Sequence, residues 1–219
     1  PYKIHSWKLG KELILTPNPY YKNGHARRPK IKILFIDDEM TAFRLYENKK
    51  LSFLRRIPSN LTAILKDRSD FFQKPMLRFD YVGFGKDLMA QDNLRKALIH
   101  SIDFGKLKIL LQALEEPGCP SIPKSWMIQQ PCYDFDLKKA RSFLQKVSTA
   151  NKNKTYKLKI SQLGGADILK QGEFFQNQWK THLGINVEVM QVEQKVFLSE
   201  LRSAPPDIYR KGVGLDRPT

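Results

Sequence analysis

Of the side chains able to do chemistry in this sequence, most lack the partners that chemistry needs. His5, His25, His100 and His182 stand on separate predicted elements, with no acid or nucleophile at a fixed spacing. General acid–base catalysis needs such a partner within hydrogen-bond reach, and neither GxSxG nor HExxH occurs, so no enzyme is expected. His100 reads as a packing or surface residue rather than a base. Asp37-Asp38-Glu39 resembles a metal-binding carboxylate cluster, but adjacent carboxylates repel and suit a helix start, where the dipole favours negative charge; it is read as a cap. Gly164-Gly165 lacks the Gly-Lys-Ser/Thr that a phosphate loop requires. Cys119 and Cys132 have neither CxxC spacing nor a nearby histidine. They are either bridged, closing a loop of about 14 residues for roughly 3 kcal/mol, or free thiols. No metal or cofactor is expected. What remains is Arg210, then Gly212-Val213-Gly214, then Asp216. A strand opening into a glycine loop that carries an acid commonly holds a charge at the mouth of a cleft.

The elements that would position this stretch follow from periodicity. Gly184 stops a helix, Asn186–Gln191 alternates as a strand, and Val192–Arg202 returns to helical spacing with Phe197 and Leu201 on one face. Pro205-Pro206 breaks that helix and Asp207–Arg210 starts a short strand. Upstream, strands are predicted at Tyr2–Trp7, Glu12–Thr16, Ile31–Ile36, Leu51–Arg55, Pro75–Gly83 and Tyr156–Ser161. Helices follow Asp37–Glu39, Pro58, Asp92 as N-cap, Phe104 (to Leu114), Asp136 as N-cap, and Gly164-Gly165. The last of these carries Ile168, Phe175, Trp179 and Leu183 on one face. Phe84–Gln91 and Ser148–Thr155 read as connections, and Cys119–Tyr133 as a proline-rich excursion in which Trp126 is either an anchor or a stacking surface.

The chain has 219 residues, 41% hydrophobic, and a formal net charge of +16. That suits a globular chain with a real core, and no apolar run approaches a membrane span. A strong positive balance can mark a nucleic-acid binder. Here the cations are dispersed over turns and outward helix positions, for example Arg27, Arg28, Lys138, Lys139, Lys152 and Lys157. Near the C-terminus, Lys195, Arg202, Arg210, Lys211 and Arg217 are matched by Glu188, Glu193, Glu200, Asp207 and Asp216. A solvated basic surface is the simpler reading, and nucleic-acid binding is kept as the alternative. It would show as a steep loss of affinity with salt.

Several segments, read together, resemble one family. These are PYKIHSW, NPYY, NLRKALIHSIDFGKL, FDLKKARSFLQKV, NQWKTHLGINVEV, EQKVFLSEL and DIYRKGVGLDRPT. They are similar to the extracytoplasmic solute-binding proteins of peptide-type ABC importers (family 5) over nearly the whole chain. The resemblance implies an α/β, type II periplasmic-binding-protein-like fold of two lobes, incomplete here because the chain reads as an internal piece of a longer protein. Residues 1–83 would be part of the first lobe up to the inter-lobe crossover, and 84–219 most of the second.

The same resemblance implies periplasmic or extracytoplasmic binding of a solute, most readily an oligopeptide, and delivery to an ABC permease by a monomer. Asp216 takes the place of the family acid that captures a ligand α-amino group, whereas the family Trp is replaced by Val213, beside Gly214. Arg210 would fix Asp216 or meet a ligand carboxylate; a structural ion pair with Asp216 is the alternative. Tyr81 and Phe84 are implied to line the cleft, with core packing as the alternative, and Arg55 to lie near it, with solvent as its other partner. The loss of the family Trp also leaves open a scaffold that no longer binds ligand and serves as an interaction module.

Overall fold

The computed structural model describes residues 1–21, 28–72, 78–111, 134–163 and 165–214. The chain divides into two compact units, Pro1–Leu65 and Lys66–Thr219. Residue 83, the lobe boundary expected from sequence, falls inside a strand of the second unit. Cys119, Cys132, Trp126 and Asp216 lie outside the described residues.

The first unit is built on three antiparallel strands, β1 (Tyr2–Lys8), β2 (Glu12–Pro17) and β3 (Ile31–Leu34), in the order β1-β2-β3. The β1–β2 turn needs Gly10, whose φ of 68° lies in the left-handed region. Register sets Leu13 between Trp7 and Ile33, and Leu15 between Ile4 and Ile31, so one face of the sheet is apolar. The other face carries Glu12, which pairs with Lys8 at 2.9 Å and Lys32 at 2.8 Å. Helix α1 (Glu39–Glu47) begins where the acidic run predicts, because the Asp38 carboxylate accepts from the Thr41 N–H at 2.7 Å. Its end is marked by Lys49 at a φ of 57°. Leu51–Arg55, predicted as a strand, is irregular. Strand propensity needs a neighbouring edge to pair with, and none among the described residues pairs with this stretch. A 3-10 turn at Ser59–Leu61 runs into α2 (Thr62–Leu65).

The second unit holds a mixed sheet of β4 (Arg78–Phe84), β5 (Thr155–Ser161), β6 (Asn186–Val192) and β7 (Ile208–Gly214), ordered β4-β7-β5-β6. β5 runs parallel to both β6 and β7, while β4 is antiparallel to β7. The helices of this unit are α3 (Lys86–Met89), α4 (Asp92–His100), α5 (Phe104–Leu111), α6 (Leu137–Gln145), α7 (Thr149–Asn153), α8 (Gly165–Leu183) and α9 (Gln194–Ser203).

Helix α8 packs its Ile168, Phe175 and Trp179 stripe on Tyr156, Leu158, Ile160, Val187 and Ile208 of the sheet, with Leu94 and Leu98 of α4 in the same buried cluster. Each large side chain buried there stabilises the fold by about 1.5–3 kcal/mol relative to exposure. Trp179 Nε1 donates to the Leu98 carbonyl at 3.0 Å, so its one polar atom is satisfied. Gly172 lets α8 lie close on the sheet: a Cβ there would sit 2.9 Å from Val189 Cγ1.

Three connections differ from expectation. The predicted Phe84–Gln91 loop is the end of β4 followed by α3, with Gly85 as N-cap and its N–H donating to the Asp207 carbonyl at 2.8 Å. Asp92 is the first residue of α4 rather than its cap, and it bridges Arg95 and Lys96 at 2.6 Å each. The polar connection Ser148–Thr155 contains α7, because Ser148 Oγ accepts from the Asn151 N–H at 3.3 Å. Of the two readings kept for His100, surface or packing, the structure shows packing: it is stacked on Phe143 with Nδ1 2.9 Å from the Asp134 carbonyl oxygen.

Candidate functional site

The predicted Gly212-Val213-Gly214 loop is a strand. β7 continues to Gly214 because β4 offers it a full antiparallel partner: Arg210 faces Val82, Gly212 faces Asp80 and Gly214 faces Arg78. Backbone pairing satisfies the peptide groups there, so the glycines do not end the strand. On its other side the parallel ladder to β5 is short. Leu158 pairs with Ile208 and Lys159 with Tyr209, and among the described residues no pairing continues toward Gly214. Among the described residues, the C-terminal half of β7 thus carries one bonded edge and one open edge. It lies beyond the carboxyl end of that parallel ladder, the side of an open α/β sheet where ligands are held.

Alternation along β7 sends its side chains to two environments. Ile208 and Arg210 face the core side, where both are buried. An arginine buried there must be compensated. Its Nε donates to Gln171 Oε1 of α8 at 2.9 Å, and its Nη2 pairs with Asp80 Oδ2 of β4 at 2.7 Å. Arg210 is 7% exposed while the Asp80 side chain is 39% exposed, so the cation is held inside and the acid reaches out toward solvent. The three residues tie α8, β7 and β4 together at one point.

On the opposite face lie Tyr81, Tyr209, Lys211 and Val213. The Tyr81 and Tyr209 rings meet edge to face with centroids 6.3 Å apart. Gly83 makes room for this: a Cβ there would overlap the Tyr209 ring. Burial, and then the neighbouring Tyr209, pushes the Tyr81 phenol above its ordinary range. Asp207, just before β7, accepts from the Lys157 N–H at 3.1 Å and pairs with Lys154 at 3.2 Å, which fixes where β7 leaves the Pro205-Pro206 break.

The sequence-derived residues therefore separate. Arg210, Val213, Gly214 and Tyr81 share the β4–β7 pair, Val213 half-buried and Gly214 exposed with open space where a Cβ would be. Phe84 is on that pair too, but packs against the hydrophobic core. Arg55 is exposed in the irregular stretch of the first unit. Reading the sequence missed Asp80 and Gln171. Both carry a signal: Asp80 is an acid between the aromatic Phe79 and Tyr81 of its strand, and Gln171 interrupts the apolar stripe of α8 between Ile168 and Phe175. Among the described residues, no group of three or more His, Cys, Asp or Glu is placed to hold a metal ion. No helix among them is long and apolar enough to cross a membrane.

The family model of bacterial extracellular solute-binding proteins, family 5 middle, matches residues 1–219. The oligopeptide-binding protein OppA of Bacillus subtilis (strain 168) is 24% identical over 97% of this chain, which spans 42% of that relative's length. A periplasmic oligopeptide-binding protein of Borrelia burgdorferi, OppAIV, superposes with a TM-score of 0.83 at 25% identity, covering 97% of this chain and 44% of that one. The Helicobacter pylori DppA structure, in complex with the peptide STSA, is alike in fold with a TM-score of 0.82 at 18% identity, over 99% of this chain and 43% of that one.

Proposed function

The chain belongs to the family 5 bacterial extracellular solute-binding proteins, and from that premise we propose that it carries part of a peptide-binding site built on the β4–β7 pair. In this reading the whole protein works outside the cytoplasm, as a monomer. It binds an oligopeptide, releases it unchanged, and hands it to an ABC-type permease. The observation that carries the proposal is the edge of β7 from Arg210 to Gly214, open among the described residues and followed two residues later in sequence by Asp216. An extended peptide satisfies its backbone groups by adding to such an edge. Asp216 then meets the peptide's α-ammonium in a charge-assisted hydrogen bond. Arg210 acts behind this edge by holding β4, β7 and α8 in register through Asp80 and Gln171. The relative from B. subtilis and the structural neighbour from B. burgdorferi are both named for oligopeptide binding, which supports a peptide as the solute. Closure of two lobes on the peptide is a population shift driven by contacts to both.

Calorimetry on the full-length protein tests this. Asp216→Asn is expected to weaken an unblocked tripeptide about ten- to hundredfold, the value of a charged hydrogen bond of roughly 1.5–3 kcal/mol. An N-acetylated peptide should bind wild type weakly and lose little further in the variant. Wild-type affinity of Asp216→Asn for both peptides would remove Asp216 from the amine site.

A further inference from the structure

The face of β7 turned away from Arg210 presents two polar groups that the fold does not use. Tyr209 and Lys211 are half-buried neighbours on that face. At two residues apart on a strand, their side chains emerge about 7 Å from each other. Among the described residues, neither the Tyr209 hydroxyl nor the Lys211 ammonium has a hydrogen-bond or ion-pair partner. The contrast with neighbouring charges is sharp. Arg210 holds Asp80, Lys159 holds Glu200 at 2.8 Å, and Lys154 holds Asp207, so the nearby carboxylates are already engaged. A half-buried ammonium is poorly solvated and gains more from a counter-charge than one in open water. Its surroundings on that face are apolar and aromatic: the Tyr81 and Tyr209 rings lie to one side and Val213 to the other.

We propose that Lys211, with the Tyr209 hydroxyl as second donor, is a specificity site that selects peptides presenting a carboxylate on this face of β7. The assignment rests on the peptide-binding reading above and deepens it. The carboxylate comes from an acidic side chain or from the peptide C-terminus. Either is an acceptor for an ammonium and a phenol O–H together, whereas an amide forgoes the charge. Lys211 is a poor neighbour for a ligand lysine or arginine in the same position, which adds rejection to attraction.

The test is calorimetry on full-length protein, unfolded and refolded to remove co-purified ligand. Four peptides are compared: Ala-Ala-Ala, its C-terminal amide, Ala-Glu-Ala and Ala-Gln-Ala. In wild type, one or both acids are expected to bind about tenfold tighter than the matching amide. The Glu/Gln ratio reports a side-chain carboxylate and the acid/amide ratio a C-terminal one. Lys211→Met should bring the elevated ratio to about one with little change for the neutral peptide, and Tyr209→Phe should reduce it partway. Lys211→Gln serves where Met at this position lowers the melting temperature. Ratios of about one in wild type, or ratios that survive both Lys211 variants, overturn the assignment while leaving peptide binding intact. Failure of all four peptides to bind wild type overturns the peptide reading and this assignment with it.

Discussion

Arg210 shows how one residue's burial decides what its neighbours are for. It is almost fully enclosed, while its acidic partner Asp80 keeps contact with water, so the two ends of the ion pair are not equivalent. Removing the acid takes a counter-charge from a buried cation, whereas removing the cation leaves an acid that water can reach. Asp80→Asn is therefore expected to cost about 2 kcal/mol of stability and Arg210→Met less than about 1 kcal/mol. The double variant should return close to Arg210→Met alone. Urea unfolding of the three proteins checks the order, and equal losses would mean that the pair is solvated throughout. This asymmetry suits Arg210 to a positioning role behind the open edge, and it separates that role from the opposite face, where Lys211 is placed to meet a ligand.

At the scale of elements, the two sheets are stabilised by different means. The second unit's sheet is held by the α8 stripe and its buried cluster. The three-stranded sheet of the first unit instead has Glu12 bonded to Lys8 of β1 and Lys32 of β3, so one carboxylate links all three strands. Hydrogen bonds from Lys32 and then Lys8 hold the Glu12 carboxyl down at about 2, below its ordinary 4.5. Because the folded value is depressed, the stabilisation is fully present above about 4.5 and is lost as the pH falls through about 2. Wild type should accordingly exceed Glu12→Gln in stability at neutral pH, with the difference closing across that window and shrinking at high salt. Unfolding curves against pH for the two proteins measure it. A difference that stays at its neutral-pH size down to pH 2 would point to packing rather than charge.

For the whole molecule, the notable surface is the apolar face of β1–β2–β3. Ile4 is 60% exposed, Trp7 58% and Ile33 39%, and register sets them on the same side as Leu13, Leu15 and Ile31. An apolar face of this kind on a folded unit binds hydrophobic dyes and promotes association. The 219-residue chain is expected to enhance anilinonaphthalene sulfonate fluorescence. Replacing Ile4, Trp7 and Ile33 together with Thr should remove most of that signal, with far-UV circular dichroism unchanged. Unchanged dye binding in the triple variant would place the exposed apolar surface elsewhere. The chain spans 42% of the OppA relative's length, so tests of ligand binding belong to the full-length protein.

Local patterning by itself determined most of the elements, because alternation, helical stripes, caps and breakers act within a few residues. The Asp38 and Asp136 caps, the α8 stripe and the β5 and β6 strands were legible for that reason. The segments quoted above carried the family, and the match over residues 1–219 agrees with them. Tertiary structure alone decided where pairing made or unmade a strand. Leu51–Arg55 has the composition of a strand but pairs with no edge among the described residues, while Gly212–Gly214 has that of a loop but is drawn into β7 by Asp80, Phe79 and Arg78. It also brought Asp80 and Gln171 to Arg210, since both lie far from it in sequence and meet it only when β4 and α8 pack on β7. Long-range hydrogen bonding and burial set these outcomes, and neither leaves a mark within a short window of residues.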